Sequence, residues 1–307
     1  RDFELLQLSG AWGRERDILR RPLEQGITKI DSKRGGSSHQ QNPFIALVEP
    51  KTDGYRGEAY GFSLVYSANF IAQAERNHYG KTRISLGINP FTFDWLLESG
   101  DSFQTPEVVM NYSDQGLNKM SQNYHQLYQS RLVRGDHLKK ERPVLINNWE
   151  GTYFDFDTDK ILEMAAAAAE VDLELFVLDD GWFGKRNDDT SSLGDWYVNE
   201  DKLPGGLEYL AQEINKLGMD FGLWFEPEMI SPDSDLYRKH PEWAIQVKNR
   251  ESSLSRQQLI LDLSRRDVQN YIIERVSDIL NKADISYIKW DMNRPMTEYG
   301  SLKMDAD

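Results

Sequence analysis

Over the first third of the chain, apolar residues come in short runs separated by turn formers. "FELLQLSGAW", "QGITKIDS", "PFIALVEP", "YGFSLVYSANFI", "TRISLGINPFTFDWLLESG" and "SFQTPEVVM" are rich in aromatic and β-branched residues and are divided by Gly, Pro, Asn and Asp. This spacing predicts an antiparallel β-sandwich over residues 1–112. The period then changes. Leu117, Met120, Tyr124, Leu127 and Arg131 recur as the stripe of an amphipathic helix, with Ser113 and Asp114 as capping candidates. The charged stretch "RGDHLKKERP" (134–143) reads as an exposed connector, so residues 113–142 form a linker helix and connector.

From 143 onward, apolar strands alternate with helical segments. "PVLINNWE" precedes a helix through "DKILEMAAAAAE", and "LELFVLDDGWF" precedes one near 206–217. "MDFGLWFEPEM" and "QLILDLS" come before the amphipathic "RDVQNYIIERVSDILNK" (266–282), and the last strand is "SYIKWDMN". Alternation of this kind means parallel strands, in an open sheet or a barrel. No Gly-x-Gly-x-x-Gly follows any strand, which weakens a dinucleotide-binding reading. "QLILDLS" is either a fifth strand or part of an inserted loop. Four clear strand–helix units cannot close an eight-stranded barrel, and a half barrel leaves unpaired edges and an exposed inner face.

The bulk numbers narrow the chemistry. The 307 residues carry 39% hydrophobic residues, with 8 Trp, 14 Tyr and 13 Phe, ample for a packed core. A formal charge of −14 argues against nucleic acid and anionic membranes as partners but leaves room for a neutral, hydroxyl-rich ligand. There are no cysteines, which removes disulfides, thiolate catalysis and Cys-ligated zinc, and no apolar run is long enough to cross a membrane. His39, His78, His125, His137 and His240 are scattered and read as structural or surface residues, so no metal or cofactor is expected.

One regularity favours the barrel. Each strand ends in polar or aromatic residues: Asn148, Trp149 and Glu150; Asp179, Asp180 and Trp182; Trp224, Glu226 and Glu228; Lys289, Asp291 and Asn293. Barrel active sites are assembled at that end. Indole faces cover the apolar side of a pyranose, and carboxylates accept hydrogen bonds from hydroxyls, so this mixture suits a sugar. Each feature has a blander reading. An isolated Lys-x-Asp is more often a structural ion pair, Asp179–Asp180 also fits a turn or cap, and single tryptophans are more often core. Period-two alternation places Lys289, Asp291 and Asn293 on one side of the last strand and Trp290 packed behind it. An ammonium beside Asp291 would keep that carboxylate ionised, as a nucleophile needs. Glu226 and Glu228 read as orienting groups or as a rim.

"NNWEGTYFDF", "LDDGWF", "LWFEPEM", "RQQLILDLS" and "YIKWDMNR", in this order and spacing, resemble glycoside hydrolase family 36, the microbial α-galactosidases. "GGSSHQQNPFIAL" and "GEAYGFSLVYSANF" resemble that family's N-terminal β-supersandwich. The resemblance covers essentially the whole chain. It implies an α/β plus all-β chain: a partial supersandwich, then over 143–307 the first half of a (β/α)8 catalytic barrel. It implies a retaining hydrolase of terminal α-galactosides of the melibiose and raffinose type, with Asp291 as nucleophile. Trp149, Asp179, Asp180, Trp224, Arg256, Lys289 and Asn293 match the sugar-binding positions. The family's acid/base carboxylate, its cysteine-containing pocket segment and the rest of the barrel are not in this chain. Both ends are therefore expected to be cut from a longer polypeptide, and the chain alone to be inactive or nearly so. A homo-tetramer and a cytoplasmic setting follow from the resemblance alone. Two further readings stay open: an α-N-acetylgalactosaminidase or galactosyl transferase of the same clan, and a non-catalytic carbohydrate-binding fragment.

Overall fold

The computed structural model describes residues 2–303. One compact unit runs to Lys140 and takes in Pro295–Thr297, and a second begins at Glu141. The first unit holds eight strands: β1 (Glu4–Ala11), β2 (Arg14–Pro22), β3 (Gly26–Asp31), β4 (Gln41–Val48), β5 (Ala59–Val65), β6 (Phe70–Arg76), β7 (Thr82–Ile88) and β8 (Glu107–Ser113). They form two sheets, β2-β1-β4-β5-β8 and β3-β6-β7, with every pairing antiparallel.

Neighbouring residues on β1 and β4 serve opposite faces of the larger sheet. Leu5, Ile45 and Leu47 share a core with Ile30, Phe70, Ala72 and Ala74 of the smaller sheet. Leu6, Ala46 and Val48 pack instead with Met120 and Tyr124 of helix α1 (Gly116–Leu127). The helix thus covers the sheet's second face, and the sequence stripe Leu117, Met120 and Tyr124 is its contact. Its start differs from expectation. Neither Ser113 nor Asp114 caps it: Gln115 holds the cap position without a side-chain bond, and the Ser113 hydroxyl donates to the Gly116 carbonyl at 2.9 Å. A single π turn (Tyr128–Leu132) follows, so Arg131 lies beyond the α-helix.

Two strand readings are corrected here. β2 was not expected, since "RERDILRRP" is exposed at every position and is held by its backbone ladder to β1. Conversely, β7 ends at Ile88 and residues 91–105 form no strand despite their aromatic content. Pro90 and Pro106 bracket that stretch, each lacking the N–H a ladder needs.

The second unit is built on four parallel strands, β9 (Leu145–Asn147), β10 (Leu175–Leu178), β11 (Asp220–Phe225) and, last in the chain, β14 (Tyr287–Trp290). Their spatial order, β9-β10-β11-β14, is their chain order. Helix α2 (Trp149–Thr152) and helix α3 (Thr158–Ala169) connect β9 to β10, and α4 (Gly206–Lys216) connects β10 to β11. Helix α3 starts where the Asp157 carboxylate accepts from the Lys160 amide, and it buries Ile161, Ala165 and Ala168. The alanine run thereby permits close approach to its neighbours.

Between β11 and β14 come β12 (Met229–Ile230), α5 (Asp235–Lys239), β13 (Leu259–Ile260) and α6 (Arg266–Lys282). β13 is the core of "QLILDLS". It pairs antiparallel with β12 in a separate ribbon, so that motif is an insertion and not a fifth strand of the parallel sheet. Helix α6 buries Val268, Ile272, Val276 and Ile279, the spacing its sequence predicts.

Trp290 is a further correction. It lies on the opposite face of β14 from Lys289, but it is 53% exposed instead of packed. Ile288 on the same face is also exposed, and the Trp290 indole N–H donates to Glu228 at 3.0 Å.

Candidate active site

The sheet register decides which side chains meet. Asn147 pairs with Val177, Val177 with Gly222, and Gly222 with Tyr287. Two residues further along, the same face carries Asp179, Trp224 and Lys289 at the C-terminal strand ends. Lys289 Nζ reaches across the sheet to Asp179 Oδ2 at 2.7 Å, and Asn147 Nδ2 donates to the same oxygen at 2.6 Å. Asp179 Oδ1 accepts from the Asp180 amide at 2.9 Å, and the Asp179 amide donates to Asn148 Oδ1. The side chain is nearly buried, and both carboxylate oxygens accept hydrogen bonds, two on Oδ2 and one on Oδ1.

Asp291 sits one residue past β14. Its amide donates to the Phe225 carbonyl at 2.8 Å, which fixes its backbone to β11. Its Oδ2 accepts from Trp224 Nε1 at 3.1 Å and from Asn293 Nδ2 at 2.8 Å. Among the described residues Oδ1 has no donor. The ammonium expected beside this group is drawn to Asp179 instead, so two neutral donors hold Asp291. Trp224 is 1% exposed, lying parallel to Phe183 with ring centroids 6.1 Å apart. It therefore offers no open platform, and its part here is the indole N–H. Trp149 is only half-buried; Tyr153 and Phe154 meet its ring edge-on at 5.2 and 5.1 Å.

Asp180 has a different environment from Asp179. Arg186 grips both its oxygens, with Nε 2.9 Å from Oδ1 and Nη2 2.7 Å from Oδ2, and both side chains are buried. Burial pushes the Asp180 carboxyl up, and the Arg186 guanidinium pulls it back down. Arg186 comes from the loop after β10, and Lys202 braces that loop. Its Nζ donates to the carbonyls of Phe154, Gly181 and Arg186 at 2.9, 3.2 and 3.1 Å. Gly181 has φ +106°, and a Cβ there would come within 3.0 Å of the Phe154 ring. Both facts require glycine in "DDGW".

Arg256 sits at the tip of a tight turn closed by Ser255 and Gln258. Arg256 and Gln257 both have positive φ, 52° and 57°, the conformation of a type I′ turn built without glycine. The exposed Arg256 side chain has no partner among the described residues.

Sequence reasoning passed over Arg186, Lys202 and Asn147 and left Glu226 undecided. Asn147 could have been found from register, since it shares the face of Asp179. Arg186 and Lys202 lie in irregular loops where no periodicity marks them. Glu226 is 1% exposed, and its Oε1 accepts from the Asn293 amide at 2.7 Å and from Gln258 Nε2 at 3.2 Å. Burial pushes its carboxyl up; the bonds from Asn293 oppose the rise, and the charges of Asp291 and Asp180 add to it. Among the described residues no cluster of three His, Cys, Asp or Glu side chains could hold a metal ion. No described helix is long and apolar enough to cross a membrane.

Comparison with known proteins brings in relatives. The family profile described as Melibiase matches residues 102–307, and that of the glycosyl hydrolase family 36 N-terminal domain matches residues 1–98. Alpha-galactosidase AgaA of Geobacillus stearothermophilus is 62% identical over 306 residues, covering 100% of this chain and 42% of the relative. Alpha-galactosidase Mel36A of Lactobacillus acidophilus is 49% identical over 307 residues, again with 100% and 42% coverage. The crystal structure of AgaA superposes with a TM-score of 0.97 at 61% identity, over 99% of this chain and 42% of that one. A structure of an AgaA variant in complex with raffinose gives 0.96 over the same shares. The chain thus spans about two-fifths of the length of these curated relatives.

Proposed function

The chain belongs to glycosyl hydrolase family 36, and from that membership we propose that it carries the nucleophile half of a retaining α-galactosidase site. The observation that carries this reading is the asymmetry of Asp291. One oxygen is anchored twice, and the other has no protein donor among the described residues. A nucleophilic carboxylate needs that arrangement: held still through one oxygen, with the second aimed at carbon.

In this reading Oδ1 attacks the anomeric carbon, the bond to the leaving oxygen breaks, and a second carboxylic acid protonates that oxygen. Water deprotonated by the same group then cleaves the glycosyl ester and restores Asp291. The resemblance to the family assigns the second group to the part of the relatives' length that this chain does not span, so residues 1–307 alone are proposed to turn over no more than traces. Lys289, Asn293 and the Arg256 turn are the donors for sugar hydroxyls, Asp179 an acceptor, and Trp149 the half-open aromatic face. Asp180 contributes mainly through its pairing with Arg186, which fixes the loop that follows Asp179. The relatives' complexes with raffinose and with stachyose support α-galactosides as the substrate class. The resemblance alone supports a homo-tetramer and a cytoplasmic setting.

The test uses the protein at its natural length with an aryl α-galactoside. Hydrolysis is expected to release the α-anomer first, and Asp291→Asn to abolish it. A β-anomer, or activity that survives Asp291→Asn, overturns the reading.

A further inference from the structure

A buried carboxylate that no substrate can reach needs a reason to be there, especially beside other carboxylates that make its charge costlier. Glu226 is such a group. Its position near Asp291 invites the role of proton donor, but its geometry opposes that role. The side chain is 1% exposed, and the two hydrogen bonds that Oε1 accepts tie the carboxylate to the protein.

Its two donors show what it does. The first is the amide of Asn293, whose side chain in turn holds Asp291 Oδ2 at 2.8 Å. The second is Gln258, the closing residue of the turn that carries Arg256. Gln258 is tied to the same strand end a second time, because its carbonyl accepts from Arg294 Nη1 at 2.6 Å. Arg294 Nη1 also donates to the Ser253 carbonyl at 3.0 Å, just before the turn. One carboxylate oxygen therefore joins two segments, 32 and 67 residues away along the chain, that both carry groups assigned to the site.

We propose that Glu226 is a positioning residue: it fixes Asn293, and through it the carboxylate of Asp291, while registering the Arg256 turn against the same point. This rests on the family reading of Asp291 as nucleophile. It extends that reading to a residue that touches neither substrate nor reacting atoms. A buried hydrogen-bonded network of this kind rigidifies what it joins, and the chemistry is sensitive to displacements well under an ångström.

The experiment is a double-mutant cycle in the protein at its natural length, with an aryl α-galactoside and with thermal melts of every variant. Glu226→Ala is expected to lower kcat/KM by about 10- to 100-fold, the scale of a misplaced catalytic group. Glu226→Gln keeps an Oε1 acceptor for both donors and is expected to recover most of that loss. Asn293→Ala combined with Glu226→Ala is expected to cost little more than the worse single change, because Glu226 acts through Asn293. If Glu226→Ala does not fold, Glu226→Asp, which withdraws the acceptor by one methylene, takes its place in the cycle. Multiplying losses, or Glu226→Ala as active as the wild type, overturn the inference. Asp291→Asn in the same assay separates the two claims. If it is inactive while Glu226→Ala is unimpaired, the positioning role alone fails; if it is active, the nucleophile assignment fails.

Discussion

Lys289 Nζ lies 2.7 Å from Oδ2 of Asp179, the residue just past β10, although Asp291 stands only two positions further along its own chain. The ammonium therefore bridges two strands across the sheet and does not serve its neighbour. Asp179 is nearly buried whereas the Lys289 side chain is 37% exposed, so the pair matters most to the carboxylate.

Lys289→Met should leave Asp179 Oδ2 with Asn147 as its only side-chain donor among the described residues. A buried acceptor that loses one partner costs about 1–3 kcal/mol, and the surviving Asn147 bond places this case near the lower end. Urea unfolding midpoints at pH 7 measure it. An unchanged midpoint would mean that water replaces the ammonium at no cost.

Arg186→Met is expected to be harsher. It leaves Asp180 buried without its charge-assisted contacts to Arg186, and breaking a buried pair from one side costs about 3–5 kcal/mol. Arg186→Met with Asp180→Leu should recover much of the stability, because the cost lies in the orphaned charge. Denaturant melts of the three variants test this, and a double variant no better than the single one sinks it.

The contrast between these two aspartates shows where sequence reading stops. The adjacent aspartates of "LDDGWF" read alike, as matches to sugar-binding positions, and alternation sends them to different surroundings. Asp180's partner sits in a loop with no periodic signature. Legible were the features written in periodicity: the two-sided burial of β1 and β4, the apolar stripes of α1 and α6, and the polar comb at the strand ends. Hidden were features that depend on distant chain. β2 is exposed throughout, so no hydrophobic alternation marks it. The face of Trp290 was read as packed because alternation reports a direction, not what lies there. Glu226 could be placed only once its partners at Gln258 and Asn293 were known in space.

The turn at Arg256 and Gln257 holds two non-glycine residues at positive φ, where an L side chain crowds the following carbonyl. Gln257→Gly should remove that cost at one position and stabilise the protein by roughly 0.5–1 kcal/mol, after allowing for glycine's greater freedom when unfolded. Chemical denaturation measures the gain, and a loss of stability would show that the Gln257 side chain matters more than its backbone.

Asp267, in the first turn of α6, is gripped by Arg265 through Nη2 at 2.7 Å and Nε at 3.2 Å. That bond, chiefly, lowers its carboxyl from the ordinary 3.8 to about 2. A depressed carboxylate stabilises the fold above its unfolded value and loses that contribution as pH falls through the folded one. The stability difference between wild type and Asp267→Asn should thus be constant above about pH 5 and shrink between about pH 4 and 2. Parallel acid titrations of the two proteins, read by circular dichroism, check the sign. A difference that does not change with pH counts against the pairing.

Trp224 separates two accounts of the strand-end tryptophans. As a sugar platform it would supply binding shared by ground and transition states, so truncation would raise KM and spare kcat. Its 1% exposure argues against that, and its Nε1–H is 3.1 Å from Asp291 Oδ2. Trp224→Phe keeps an aromatic ring against Phe183 but deletes this donor, leaving Asn293 alone on the oxygen. A hydrogen bond to a charged group contributes about 1.5–3 kcal/mol, which at 1.36 kcal/mol per decade is roughly a 10- to 150-fold loss. In the protein at its natural length that loss should appear in kcat with KM little changed, and a thermal melt should report the smaller ring's packing cost separately. A raised KM with kcat intact would return Trp224 to the role of platform. It would also leave Asn293, under the control of Glu226, as the sole side-chain anchor of Asp291 among the described residues.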